Sequence, residues 1–280
     1  MFASCAIAPM LKPLSLVLFA VTFATPCNAA QVKYQMDCNL GKGTTQTQRS
    51  NDFTVMLTPA NGRCRVSVLD MNQNPVFEYE AGAMQVFVGI GVTTDDRTNA
   101  LIQADASPVN KLFIVSLGEG ARLLRTIENR YGFWLQDDCG GKTRIWTSDG
   151  AFQENSDLVD VYHYDLFTPP VVFEMDGEKL IDATPKCREY FDKQIESLRS
   201  RLPADDINRF RTNRIADAFH RGEVKGRILS IMFCYLYTNR EIEARTVLQQ
   251  MWPSDDADRL WQSILKLRSA GVLSQVNKGQ

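Results

Sequence analysis

Histidine is nearly missing from this 280-residue chain, which has two copies. That leaves little room for a His-rich metal site or a proton relay. No charge of one sign dominates either: 31 Lys+Arg stand against 33 Asp+Glu, a net −2. Nucleic-acid binders usually carry a basic excess on one face, so that class is set aside. The glycine and proline excess of fibrous chains is absent, and 44% hydrophobic residues exclude the composition of disorder. No G-x-S-x-G elbow, H-E-x-x-H pair or Walker-type loop is present. Gly41-Lys42-Gly43-Thr44-Thr45 lacks the first glycine and the spacing of a P-loop and reads as a turn. No cysteines are spaced CxxC, so neither a zinc ribbon nor a thioredoxin-type centre is supported. Nothing here implies a cofactor or a metal.

What is present begins with an address. Lys12 precedes an apolar run from Leu14 to Ala24, and Cys27-Asn28-Ala29-Ala30 supplies small residues after it. This is the pattern of a secretory signal peptide, and the run is too short for a spanning helix. Cleavage after Ala29 makes residues 1–29 the leader; cleavage after Ala30 and translation from Met10 are the alternatives. Pro26 directly before Cys27 is wrong for lipid attachment. The expected mature protein is soluble, and periplasmic or secreted. Five cysteines then remain in an oxidising compartment: Cys38, Cys64, Cys139, Cys187 and Cys234. Cys38 with Cys64 is the preferred bridge, and Cys139 with Cys187 is a second candidate. Cys234, inside an apolar string, reads as a buried free thiol.

The expected fold class is α+β, an N-terminal antiparallel all-β domain over residues 30–183 followed by a helical bundle over residues 184–280. Short segments rich in β-branched residues, such as Phe53 to Leu57, Arg65 to Leu69, Leu112 to Val115 and Val159 to Tyr164, read as strands. Asn61-Gly62, Asp149-Gly150 and Asp176-Gly177 read as hairpin turns. Together they suggest a propeller-like or sandwich-like hairpin array. The period changes near Thr184-Pro185. Tyr190, Phe191, Ile195, Leu198 and Leu202 share one helical face. Further helices are expected after Pro203, from near Glu223, from Asn239 to Trp252 and after Pro253. The third is apolar all round and should be central. His220, near Arg221-Gly222, reads as a cation at a helix C-terminus.

The loop at Asp95-Asp96, the strand Lys111 to Gly118, the loop Gln136-Asp137-Asp138-Cys139-Gly140-Gly141 and the segment Thr147 to Phe152 carry a resemblance. Residues 92–152 resemble the FG-GAP/VCBS-type integrin-like repeats of secreted bacterial proteins. The resemblance implies a β-propeller-like array with Asp/Gly-rich loops. Calcium needs six to eight oxygen ligands, and Cys139 and Gly141 stand where further acids would sit, so the calcium role does not carry over. Leu236 to Ala244, with Leu248 and Pro253, resembles a single tetratricopeptide helical hairpin.

Candidate site residues come from the aromatic-rich end of the β half. Trp134, Trp146, Tyr162, His163 and Tyr164 would form a sugar- or protein-binding patch if they face outward; facing inward they would be core. His163 beside Asp165 invites a general-base reading, but adjacent strand residues point to opposite faces. Residues 186–227 hold eleven Lys/Arg and seven Asp/Glu, either a solvated face or a surface for an acidic partner or membrane headgroups. The function expected is an exported, non-catalytic binding protein of the bacterial envelope with a protein or glycan partner. The alternatives are an inhibitor or immunity protein against a hydrolase, and a small hydrolase acting on envelope polymers.

Overall fold

A computed structural model of the chain describes residues 34–50, 52–90, 98–118, 120–153, 158 and 168–277. The expected leader, the Asp95-Asp96 loop and the strand with Tyr162, His163 and Tyr164 lie outside the described residues. Antiparallel strands come first and helices follow, so the architecture is α+β. β2 (Gln46–Ser50), β3 (Phe53–Ala60), β4 (Arg63–Leu69) and β5 (Pro75–Ala81) form a meander. β1 (Tyr34–Asn39), β6 (Ala83–Ile90), β7 (Thr98–Asp105), β8 (Asn110–Ser116) and β9 (Arg122–Asn129) form a second sheet in the order β1-β6-β7-β8-β9. β10 (Phe133–Gln136), β11 (Arg144–Ser148), β12 (Pro170–Asp176) and β13 (Lys179–Asp182) form a third. Among the described residues no sheet closes on itself.

Strict alternation explains the first pair of sheets. Phe53, Val55 and Leu57 of β3 and Cys64, Val66 and Val68 of β4 are buried at every second position. They meet Val86, Ala100, Ile102 and Phe113 from the five-stranded sheet, as in a sandwich. Cys38 of β1 and Cys64 of β4 are disulfide-bonded, as expected, and staple the two sheets together. At Asn61-Gly62 both φ angles are positive, 51° and 76°, the conformation a two-residue hairpin requires.

The five-stranded sheet is covered on both faces where it is most apolar. β7 and β8 have continuous buried runs because alternate residues enter different cores. Ala100 and Ile102 face the meander, whereas Leu101, Leu112, Ile114 and Ile127 face a second core. That second core combines the third sheet (Phe133, Trp146, Phe173) with helical residues Phe191, Phe233, Tyr237 and Leu260. The strands of the third sheet and the helices therefore share one core across residues 183–184.

The helices are α1 (Arg188–Ser200), α2 (Ala204–Arg211), α3 (Ala218–Tyr237), α4 (Glu241–Met251), α5 (Ala257–Ala270) and α6 (Val272–Asn277). The central one is α3, with Ile228, Leu229, Ile231, Met232 and Phe233 buried. It begins earlier than expected because Asp217 caps it, accepting from the backbone N–H groups of Phe219 and His220. His220 consequently sits in a first turn, not at a C-terminus. What satisfies it there is Asp206 of α2, 3.0 Å from its Nε2. Cys139 and Cys187 form the second disulfide. Cys234 is the free buried thiol, its pKa pushed up to about 12 by burial.

Asp149-Gly150 is not a hairpin turn. Asp149 has a negative φ, caps the 3-10 turn Gly150–Phe152, and is fully buried. Its carboxylate accepts from the Tyr237 hydroxyl of α3 at 2.8 Å, the Ala151 N–H at 3.1 Å and the Val272 N–H of α6 at 3.2 Å. On the other side of the same turn, Asn129 of β9 donates to Thr147 and to the Ser148 carbonyl and accepts from the Gly150 N–H. The turn thus ties two sheets to two helices. The approach requires Gly271, whose missing Cβ would lie 2.2 Å from Asp149 Oδ2. The carboxylate cannot swing aside without breaking its three hydrogen bonds. Gly271→Ala is therefore expected to lower the unfolding free energy by about 1–3 kcal/mol, the usual range for overpacking. Denaturant titration checks this, and an unchanged midpoint would contradict it.

Candidate functional site

One face of the five-stranded sheet changes character from edge to edge. Cross-strand partners share a face, and one such row reads Asp37, Gln85, Gln103, Leu112, Ile127. The next reads Gln35, Phe87, Leu101, Ile114. The apolar end of each row is covered by the third sheet and the helices. The polar end is left open as the floor of a trough, with β10 as its wall.

Two hollows make up this trough and share Gln85. One, of about 550 Å³, is lined by Asp37, Asn39, Gln85, Gln103, Asp105 and Asn110 among others. The other, of about 440 Å³, runs from Gln35 and Phe87 to Trp134, Gln136 and Asp137. None of the described lining residues is Lys or Arg. Several side chains are held in place. Gln103 Oε1 accepts from the Phe133 N–H at 2.8 Å, joining the floor to β10. Trp134 Nε1 donates to Gln136 Oε1 at 2.8 Å, and Gln136 donates in turn to Asp138. Gln35 Nε2 donates to the Asp37 carboxylate at 3.2 and 3.3 Å. The half-buried Gln85 amide makes no side-chain hydrogen bond among the described residues.

The rim beyond Trp134 is fixed by a buried ion pair. Arg144 Nε lies 3.0 Å from Glu174 Oε2, and Lys186 also bonds Glu174. Burial would raise the Glu174 pKa, but the bonds from Lys186 and Arg144 outweigh it and hold the carboxyl below its ordinary value. Arg144 also donates to the Cys139 carbonyl, so a guanidinium occupies the Asp137-Asp138-Cys139 loop. Among the described residues, no three His, Cys, Asp or Glu side chains converge on a metal-sized site.

The structure separates the aromatic candidates. Trp134 is 40% exposed on β10, whereas its register partner Trp146 is 1% exposed. Trp146 is withdrawn from any binding surface because Tyr190 and Phe191 of α1 cover it, with ring centroids 5.0 and 6.2 Å away. Tyr162, His163 and Tyr164 lie outside the described residues. Gln85 and Gln103 carry only a weak signal in the sequence: polar residues alternating with apolar ones in a strand mark its open face, but only sheet order places them beside Trp134.

A third hollow, about 650 Å³, opens between α5, α6 and β13, with Asp182, Asn239, Arg268 and Ser274 on its wall. Burial raises the pKa of Asp182 despite the hydrogen bonds it receives from Thr184. Behind this wall Arg268 stacks 5.5 Å from the centroid of the Tyr237 ring. Asp149 itself is sealed from solvent. This region reads as the supporting side of the Asp149 turn rather than as a reactive centre.

No protein-family model matches the chain, and neither a curated protein nor a solved structure does.

Burial raises the Asp149 pKa from the ordinary 3.8, only partly offset by the bonds from Tyr237, Ala151 and Val272 and by the charge of Arg268. A native value above the unfolded one means that the stabilising contribution is fully present below pH 3.8 and lost as pH rises through the native value. Asp149→Asn keeps an acceptor for the two N–H groups and removes the titration. Its stability relative to the wild type should rise as the pH increases above 3.8, measured as the difference in unfolding free energy. Asp182 titrates with the same sign in both proteins and cancels. A pH-independent difference would contradict the assignment.

Proposed function

We propose that this chain is an exported, non-catalytic binding protein whose trough takes a neutral saccharide of the cell envelope. The observation that carries the reading is Trp134. It is 40% exposed, while Trp146, Trp252 and Trp261 are 1, 4 and 3% exposed. A large aromatic left in solvent next to a row of amides and carboxylates is a recurrent form of binding surface. Planar amides donate to and accept from ligand hydroxyls, carboxylates accept from them, and an aromatic ring packs on the apolar C–H faces between them. Asp37, Asp105 and Asp137, with no Lys or Arg among the described lining, disfavour anionic polymers.

The non-catalytic part is supported by where the carboxyls with raised pKa values lie. Asp149 is inside the core and Asp182 faces the other hollow. Two of the three trough carboxylates are engaged locally, Asp37 by Gln35 and Asp105 by the Ser107 N–H. Two disulfides support an oxidising, extracytoplasmic compartment. Among the described residues no helix is long and apolar enough to cross a membrane.

Because the other three tryptophans are buried, a change in intrinsic fluorescence on ligand addition reports Trp134. Titration with a panel of neutral oligosaccharides should shift the emission saturably, and a polyanionic glycan should not. Trp134→Ala should weaken binding about tenfold, the loss of roughly 1–1.5 kcal/mol of aromatic contact, measured by calorimetry. If no neutral saccharide alters Trp134 emission, or Trp134→Ala binds as tightly as the wild type, the reading fails.

A further inference from the structure

A different part of the molecule carries an unbalanced charge. Between residues 199 and 221 there are six arginines and no lysine: Arg199, Arg201, Arg209, Arg211, Arg214 and Arg221. All six are exposed. They lie on one corner of the helical part, where the end of α1, the whole of α2 and the start of α3 meet. Arg227 of α3 donates to the Arg201 carbonyl at 2.5 Å. The Arg214 N–H donates to the Arg209 carbonyl at 2.8 Å, folding the α2–α3 loop back on the helix. His220 of α3 meets Asp206 of α2.

The acids in this stretch do little to offset the arginines. Asp206 is taken by His220, and Asp217 is spent on the α3 cap, which leaves Asp205. Arg201 reaches only the Ser197 hydroxyl. Among the described residues the other five arginines enter no ion pair and no side-chain hydrogen bond. Exposed arginines in a folded domain are ordinarily interspersed with acids, so this density of unpaired guanidinium groups calls for an anionic partner.

We infer that this corner docks on a membrane surface through the phosphates of anionic lipid headgroups. The choice of arginine matters. Its planar fork binds phosphate oxygens in pairs, which a lysine cannot do. The apolar residues matter too. Ala216, Ala218 and Phe219 are exposed in sequence between Arg214 and Arg221, with Phe219 53% in solvent. An aromatic flanked by cations suits the boundary between headgroups and acyl chains, whereas an acidic protein surface needs no such insertion. No residue of this corner lines either hollow of the trough, so the two contacts use separate residues.

Cosedimentation of the mature protein with vesicles tests this. Vesicles of phosphatidylcholine with a minor share of phosphatidylglycerol should bind it at low salt and release it at about 0.5 M salt, where screening is nearly complete. Pure phosphatidylcholine should not bind. The triple variant Arg209→Gln, Arg211→Gln, Arg214→Gln should bind about a hundredfold more weakly, at roughly 1 kcal/mol per arginine near an anionic surface. Its circular dichroism and unfolding midpoint should match the wild type, because the altered groups are exposed. Phe219→Ala should weaken binding less, and Trp134→Ala should leave it unchanged. The inference is overturned if anionic vesicles bind no better than neutral ones, or if the folded triple variant binds like the wild type. It is also overturned if the corner retains an acidic envelope protein while ignoring vesicles.

Discussion

A buried carboxylate with no cation bonded to it is a costly thing to build, and Asp149 is one. Its charge is met by the Tyr237 hydroxyl and by two backbone N–H groups, one within its own turn and one from the first residue of α6. These partners come from segments far apart in sequence, so the bonds form only when the third sheet, α3 and the chain end are all in place. Asn129 extends the same turn to the edge of the five-stranded sheet. Gln275 of α6 adds a further tie, accepting from the Glu128 N–H and donating to its carbonyl, and so occupies the backbone of the outermost strand β9. The relative placement of two sheets and the helices depends on this one turn.

The trough follows from that placement. The third sheet settles on the apolar end of the five-stranded sheet, where Leu101, Leu112, Ile114 and Ile127 draw it. It stops where the rows turn to Gln103, Gln85 and Asp37. Burying that polar end would have required a partner for every amide and carboxylate. What remains is a floor of hydrogen-bonding groups with one tryptophan on the wall. The saccharide binding proposed for this surface needs no moving part, only the stable offset between two sheets.

Much of this was legible in the residues. The Asn61-Gly62 hairpin, the Cys38–Cys64 bridge, the central helix and the change of period near Thr184 all come from local chemistry or short-range spacing. Other features depend on contacts that no local pattern encodes. Asp149-Gly150 has the composition of a hairpin, yet Asp149 accepts from a residue 88 positions away. His220 precedes a glycine that looks like a helix end, but Gly222 is buried inside α3. Trp134 and Trp146 are equivalent in the sequence and become opposites because α1 covers one and not the other. The polar strand β2, with Gln46, Gln48 and Arg49, carries little hydrophobic signal and forms as an edge on β3.

The most direct measurement of the central claim is residue-level NMR mapping of the intact mature protein during saccharide titration. The Gln85 side-chain amide and the Trp134 indole N–H should shift first and together, while the Val272 amide bonded to Asp149 stays where it is. Shifts confined to Asn239 and Arg268 around the other hollow, with the trough silent, would contradict it.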